Sequence, residues 1–169
     1  MNNSIEDFGA YSVKNVKSFM GREGYGYNAT LYRGKNKIAF LIDSANGGEV
    51  SIEFINKDNE KELLEKHLKT LLQVDSEIGK LNVDAGWFVT ACVEKWENER
   101  DLRKMKRQCQ TKTLFRTSNS TDGRYNIIPS VYDEKMKKHL YKTYGDDIEI
   151  FNEVIKQNKI PSVFNSLTI

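Results

Sequence analysis

Three carboxylates around one turn are the first residues in this sequence whose types and spacing could do chemistry. Asp43, Glu49 and Glu53 flank an Asn-Gly-Gly turn, and paired carboxylates can hold the Mg²⁺ of a nuclease. Nucleases of the common type also place a lysine two residues after one acid, and Ser51 and Ile55 stand at those positions. We therefore interpret the acids as outward-facing strand residues, and the sequence predicts no metal and no cofactor.

The glycines, histidines and cysteines form no catalytic motif. Gly21-x-x-Gly24-x-Gly26 reverses the order of the dinucleotide-binding fingerprint and precedes a strand, so it predicts a turn. The two cysteines have no recognisable base partner, and the histidines and cysteines do not have the spacing of a zinc site. We therefore expect packed or solvated side chains at His67, His139, Cys92 and Cys109. We accordingly expect a protein without enzymatic activity.

Three aromatic residues of predicted strands could stack the bases of a single-stranded nucleic acid: Tyr25, Tyr27 and Phe40. We expect no arginine or lysine on the same face of the sheet, and we expect helices to cover that face. Core packing is therefore the favoured interpretation of these rings.

A cluster of cations between residues 100 and 116 is the strongest functional signal. It holds seven cations against one acid, Asp101, which gives a local net charge of +6. Four of the seven are arginine, the residue preferred where a planar fork meets phosphate or carboxylate. The predicted partner- or anion-binding residues are Arg100, Arg103, Lys104, Lys106, Arg107, Lys112 and Arg116.

Most of these cations follow an apolar stripe along one predicted helix, residues 85–110, which Asp84 can cap. At about 100° per residue, the three arginines of this helix fall within about 40° of Trp96, which ends the apolar stripe. The apolar residues of the second half lie about 120° or more from Trp96: Leu102, Met105 and Cys109. We expect either a bend near 97–101 or a helix that leaves its hydrophobic support and presents its basic end elsewhere.

Two interpretations of the basic segment stay open. It can be a solvated helix end, since cations are favourable near a helix C-terminus, or a surface that binds phosphate backbone or an acidic protein. Residues 53–99 carry eleven acids and six lysines, a local net charge of −5. Charge is therefore unevenly distributed along a chain whose total is only +2.

The elements that must position this segment indicate an α+β fold. An antiparallel four-stranded meander with one apolar face is predicted from strands at 12–19, 25–32, 37–43 and 49–55. Leucines at helical spacing predict a first helix over 59–74, which packs on the sheet together with the helix over 85–110.

The last third of the chain predicts a smaller C-terminal hairpin-helix lobe. Strands over 112–116 and 125–128 flank an Asp-Gly turn, and a basic helix follows over 132–144. Residues 148–151 are either a strand or the lead into a terminal helix. We expect a sheet and two-helix core over 1–111 and the smaller lobe over 112–169, packed as one domain.

Composition bounds the compartment and the class of protein. The 169 residues are 38% hydrophobic and 30% charged, which is typical of a soluble globular protein. The polar start of the chain does not resemble a signal peptide, and no apolar run reaches the roughly 20 residues of a membrane helix. Because of these two observations we expect a location in the cytoplasm, without membrane binding. The frequent Lys and Asn are typical of a low-GC bacterium or its phages, which makes the host bacterial.

Several scattered segments share a pattern with known proteins. They are 16–31 with its glycine-rich turn, 37–43 followed by Asn46-Gly47-Gly48, 109–116, and Tyr144-Gly145. Together they resemble small uncharacterised accessory proteins of phages and mobile elements. The resemblance implies context rather than residue roles: a small protein that blocks a host defence system such as a nuclease complex.

The expected function is that of a non-enzymatic binding protein, which inhibits a host nucleic-acid enzyme by occluding its binding surface with the basic segment. The partner is then a host protein, and nucleic acid is the alternative partner of the same residues. A third interpretation is a sponge for an anionic nucleotide held near the basic segment. A fourth is a metal-dependent enzyme that uses the carboxylates around the Asn-Gly-Gly turn.

Overall fold

A computed structural model describes residues 7–71, 74–76, 79–121 and 123–164, with the backbone alone at 57, 58, 74–76 and 79–81. The chain forms two compact units, and the division between them falls between Glu97 and Asn98. Helices and antiparallel sheets occur together, so the predicted α+β fold is confirmed. Among the described residues, no helix combines the length and the apolar character needed to cross a bilayer.

The first unit is built on a four-stranded antiparallel meander, as the alternating sequence predicts. Its strands are β1 (Tyr11–Met20), β2 (Tyr25–Arg33), β3 (Asn36–Asp43) and β4 (Ser51–Phe54). Each strand pairs with the next one along the chain, in the order β1-β2-β3-β4. The last strand is shorter than the predicted 49–55.

The inner face of this sheet carries the hydrophobic core of the first unit. Val13, Leu31 and Leu41 lie on three neighbouring strands and are buried, and Val13 stands directly opposite Leu31. Because successive strand residues point to opposite faces, Phe40 and Ile42 lie on the outer face and are 43% and 37% exposed.

Two helices complete this core. Helix α1 (Lys57–Leu68) ends well before the predicted residue 74, and the strands β5 (Val74–Ser76) and β6 (Gly79–Leu81) pair antiparallel between the two helices. Helix α2 (Ala85–Gln108) begins after Asp84, whose Oδ1 accepts a hydrogen bond from the Trp87 main-chain N–H at 2.7 Å. The predicted cap is thus present.

The sheet has two free edges within the described residues, because β1 and β4 each pair with a single strand. The edge at β1 is irregular: the register shifts between Lys14 and Lys17, and Asn15 adopts a φ of 57°. This is a β-bulge, which bends a strand and interrupts its ladder. The pairing of β4 with β3 runs without a shift.

Two turns pack against each other at one end of the sheet. The Glu23 main-chain N–H, in the turn after β1, donates to the Ala45 oxygen, in the turn after β3, at 2.9 Å. Gly26 leaves no room for a side chain, because a Cβ there would lie 2.4 Å from the main-chain oxygen of Asp43. The glycine motif therefore forms the predicted turn and allows a close approach of two backbones.

The second unit holds a three-stranded sheet and the remaining helices. Strand β7 (Thr113–Thr117) pairs with β8 (Asn126–Ile128), as the sequence predicts, and also with β9 (Ile148–Ile150), in the order β8-β7-β9. Helix α3 (Glu134–Tyr144) precedes β9, and α4 (Phe151–Lys156) and a short 3-10 helix (Ser162–Phe164) follow it. Residues 148–151 thus form a strand that leads into a helix.

The second unit has its own buried clusters. One joins Met105 of α2 to Leu114, Phe151 and Val163, and the other joins Phe115, Leu140 and Ile150. Each contains residues from at least two elements, so the unit has a hydrophobic interior of its own.

Asn152 is a buried amide that organises the chain just after α2. Its Oδ1 accepts a hydrogen bond from the Leu114 main-chain N–H at 2.8 Å. Its Nδ2 donates to the main-chain oxygens of Cys109 and Lys112 at 3.1 and 2.9 Å. The side chain is nearly inaccessible, at 9% exposure, so it satisfies backbone groups that water reaches poorly.

A bidentate ion pair ties β2 to α1 in the first unit. The guanidinium of Arg33 donates through Nε and Nη2 to the two carboxylate oxygens of Glu60, at 2.8 and 2.7 Å. The hydrogen bonds from Arg33 hold the pKa of Glu60 below its ordinary value of 4.5. Paired forks of this kind are the stronger class of ion pair.

Acid should weaken the first unit through this pair. A carboxyl whose pKa is lowered by folding contributes stability that is present above its unfolded pKa and is lost as the pH falls through its folded pKa. We expect the urea concentration at the midpoint of unfolding to decrease as the pH is lowered below about 4.5. Glu60→Gln should make this decrease smaller and should lower stability at neutral pH. Glu65→Gln, whose carboxylate lies 4.0 Å from Lys61 in an exposed pair, is the matched control and should leave the acid limb steep.

Candidate anion-binding surface

Each half of helix α2 buries residues in a different core, which is why its apolar face changes along its length. Phe88 and Val89 of the first half belong to the core of the first unit, whereas Met105 is only 1% exposed in a core of the second unit. The expectation that the second half leaves its hydrophobic support is therefore wrong. It has support of its own, because Met105 and the half-buried Cys109 pack there.

The remaining face of this half is cationic and exposed. Five predicted site residues lie on it, and we call them the cationic stripe: Arg100, Arg103, Lys104, Lys106 and Arg107. Helical spacing places the three arginines within about 60° of one another, on the side away from Met105, with the two lysines beside them. The structure thus brings five of the seven predicted residues together on one helix.

Two arginines of the stripe are engaged by acids of the same helix. Arg100 contacts Asp101 at 3.0 Å, and Arg103 lies 3.7 Å from Glu99. The prediction that all three guanidiniums are offered to another molecule therefore needs correction. All four side chains are about half exposed, and exposed pairs contribute about 0 to 1 kcal/mol, so a partner can displace these acids at little cost.

Three cations of the stripe keep a charge that no described carboxylate pairs with: Lys104, Lys106 and Arg107. The Arg107 Nε donates to the main-chain oxygen of Arg103 at 3.3 Å, which fixes its stem along the helix and leaves its charge uncompensated by an acid. Like charges held on one face repel each other, so a bound anion would relieve that repulsion.

Lys112 and Arg116 stand in different surroundings from the stripe. Lys112 is half-buried in the turn after α2, and its main-chain oxygen accepts from Asn152. Arg116 lies on β7, and its Nη1 donates to Ser162 Oγ at 3.2 Å. A hollow of about 290 Å³ next to Arg116 is lined by Asp146, Asp147 and Glu149. An anionic nucleotide would meet three carboxylates there for one guanidinium.

The predicted aromatic platform is divided between the faces of the sheet. Tyr27 is buried, and its hydroxyl lies 3.0 Å from Thr90 Oγ1; burial raises its pKa to about 12. Tyr25 is 77% exposed, and Phe40 lies on the outer face. Of the three rings, only Tyr27 therefore packs in the core as predicted.

Lysines do lie on the outer face of the sheet, contrary to the prediction. The Nζ of Lys37 lies 3.7 Å from the centre of the Phe40 ring, and that of Lys14 lies 4.7 Å from the centre of the Tyr32 ring. The alternation of β1 could have predicted Lys14 on that face. The position of Lys37 could not be predicted from alternation, because the register of the β2–β3 pairing shifts at a bulge between Leu31 and Tyr32.

Two other residues considered in the sequence analysis, Asp43 and His67, have contacts that stabilise the fold. Asp43 Oδ1 accepts from the Ala45 main-chain N–H at 2.8 Å. His67 packs against the rings of Tyr11 and Phe88, with centroids 5.2 and 5.4 Å away. In the described parts of the chain, no group of three or more His, Cys, Asp or Glu side chains is placed to hold a metal ion.

Comparison of the chain with protein-family models, with curated proteins and with solved structures gave no match.

Proposed function

We propose that this is a non-enzymatic binding protein of phage or mobile-element type, which inhibits a host nucleic-acid enzyme by occluding the surface that the enzyme uses for its ligand. The observation that carries the proposal is the cationic stripe on the second half of α2. Metal-dependent enzymes that act on nucleic acids bind Mg²⁺ through one or two carboxylates, so their active sites can present negative charge to an incoming cationic helix.

Charge distribution supports this assignment. Residues 98–169 hold 14 Lys and Arg against nine Asp and Glu, a net +5, whereas residues 1–97 hold 12 against 15, a net −3. The cationic stripe therefore belongs to the positively charged part of the chain, which raises the encounter rate with an acidic partner. Met105 anchors the helix that carries the stripe, so little backbone conformational entropy is lost when the stripe is bound.

The test removes the unpaired cations and leaves the ion pairs of the helix intact. The triple variant Lys104→Ala, Lys106→Ala, Arg107→Ala should weaken binding to the enzyme at least about 100-fold, since three contacts of about 1 kcal/mol each amount to roughly two decades in Kd. The measurement is inhibition of the purified enzyme, after its capture from nuclease-treated host lysate.

A matched triple variant separates the stripe from net charge. Lys135→Ala, Lys138→Ala, Lys142→Ala removes the same charge from exposed positions of α3, and it should inhibit like the parent protein. Equal inhibition by the parent and by the stripe variant would refute the proposal, provided that circular dichroism shows both folded.

Direct binding of nucleic acid is the second candidate, and it is favoured by the arginines at helical spacing on the stripe. Neutralising several phosphates releases counterions, so affinity for DNA or RNA should fall steeply with salt. Titration of labelled single- and double-stranded oligonucleotides at about 50 and about 200 mM salt distinguishes the candidates. Weak binding with a flat salt dependence discards this second candidate.

A further inference from the structure

The free edge of β4 has main-chain groups that no described residue pairs with. The Ile55 main-chain N–H donates to the Ile38 oxygen at 2.9 Å, and these two residues continue the register in which Ala39 faces Phe54. Hydrogen-bonded and non-bonded positions alternate along an antiparallel pair. Ser51 and Glu53 therefore bond to β3, whereas Ile52 and Phe54 direct their N–H and C=O groups to the edge.

Two hollows flank this edge. One of about 620 Å³ is lined by Phe40, Glu53 and Ile55, and another of about 650 Å³ by residues that include Val50, Leu64 and Trp87. Both hollows share Ile52, Phe54 and Lys61. A strand added alongside β4 would point alternate side chains to opposite faces of the sheet, and each face offers a hollow to receive them.

The charged residues that line the two hollows indicate the charge that an occupant should carry. Their linings include four acids: Glu49, Glu53, Glu65 and Asp84. The one cation in these linings, Lys61, lies 4.0 Å from Glu65 and is partly neutralised by it. Apolar walls with acidic rims favour a segment that alternates apolar with basic side chains.

We propose that β4 binds an extended peptide segment of a partner protein by strand addition, and that this segment alternates apolar and basic residues. Main-chain hydrogen bonds to Ile52 and Phe54 supply affinity, and the two hollows select the alternating side chains. This site lies in the first unit and attracts cations, so it is independent of the cationic stripe and of the function proposed for it.

The test uses amide hydrogen exchange on the full chain with a defined probe. The probe is an amidated peptide of about six residues, the usual length of a strand, that alternates valine with arginine, and its control alternates valine with glutamate. We expect the amides of Ile52 and Phe54 to exchange rapidly in the free protein and to become protected with the arginine peptide. The amides of Ser51 and Glu53 should be protected throughout.

Charge-reversal variants sharpen the test. Glu53→Lys together with Glu65→Lys should weaken the arginine peptide at least about tenfold, equivalent to about 1.4 kcal/mol, whereas Glu62→Lys, outside both linings, should not. The variant of the stripe at Lys104, Lys106 and Arg107 should bind the peptide normally, so failure of one proposal leaves the other standing.

Three outcomes would overturn the strand-addition site. The first is exchange at Ile52 and Phe54 that the arginine peptide does not slow. The second is equal protection by the glutamate peptide. The third is protection that rises with protein concentration in the absence of any peptide, which would identify a second copy of this chain as the occupant.

Discussion

Replacing Asn152 by alanine will destabilise the second unit by about 3 kcal/mol, because the loss leaves one main-chain N–H and two main-chain oxygens without their partner. Each unsatisfied buried group costs about 1 to 3 kcal/mol. Asn152 bonds to Leu114, Cys109 and Lys112, so the same change also frees the turn that follows α2. The measurement is the free energy of urea unfolding, followed by the near-ultraviolet signal and by amide exchange at Leu114.

Asn152→Asp distinguishes hydrogen bonding from packing. The aspartate has nearly the same volume and can still accept from the Leu114 N–H, but it places a carboxylate oxygen against two carbonyl oxygens in place of the donor. We expect a loss at least as large as that of Asn152→Ala at neutral pH. Asn126→Ala, at an exposed position of β8, is the control and should change stability by less than about 0.5 kcal/mol. Near-parental stability of Asn152→Asp would contradict this assignment.

Gly26→Ala will destabilise the first unit by about 3 kcal/mol, or prevent it from folding, because the new methyl has no place to go. Its Cβ would lie 2.4 Å from the main-chain oxygen of Asp43 and 3.0 Å from the Ala45 Cβ. Overpacking of a well-filled interior costs about 1 to 3 kcal/mol when side chains can adjust, and here the obstacle is backbone. The urea midpoint and the yield of folded protein report the effect.

Gly48→Ala is the matched control. A Cβ at Gly48 meets no atom within 4 Å, and reduced freedom of the unfolded chain then makes the substitution neutral or slightly stabilising, by up to about 1 kcal/mol. Similar losses at Gly26 and Gly48 would show that flexibility rather than space explains both glycines, and that the close approach of the two turns is unimportant.

The sheet of the first unit could be predicted because its signals are local. Alternation at period two marks the second and fourth strands of the meander, and a nearly continuous apolar run marks the third. The Asp84 cap marks the start of α2. What the sequence left open depends on distant partners. Strand β9 exists because Ile148–Ile150 finds an edge of β7, and a three-residue segment carries no periodicity that could reveal this pairing.

The sequence predicted which residues form the cationic stripe, but it did not predict the core beneath the stripe or the ion pairs of its arginines. Helical spacing alone places Arg100, Arg103 and Arg107 on one face. The interpretation of the change of face was wrong because the sequence does not show that Met105 meets Phe151 and Val163 in a second core. The pair between Arg103 and Glu99 follows the common spacing of four residues and could have been expected from the sequence.

The β-bulge at Asn15 changes how identical chains can meet. An uninterrupted edge strand of ten residues, the length of β1, is a template on which copies stack into fibrils. At Asn15 the left-handed backbone and the register shift break the row of edge groups, and Lys14 and Lys17 place charge on either side. The longer edge of this sheet is thereby guarded against lateral stacking, which leaves the four residues of β4 as its unbroken edge.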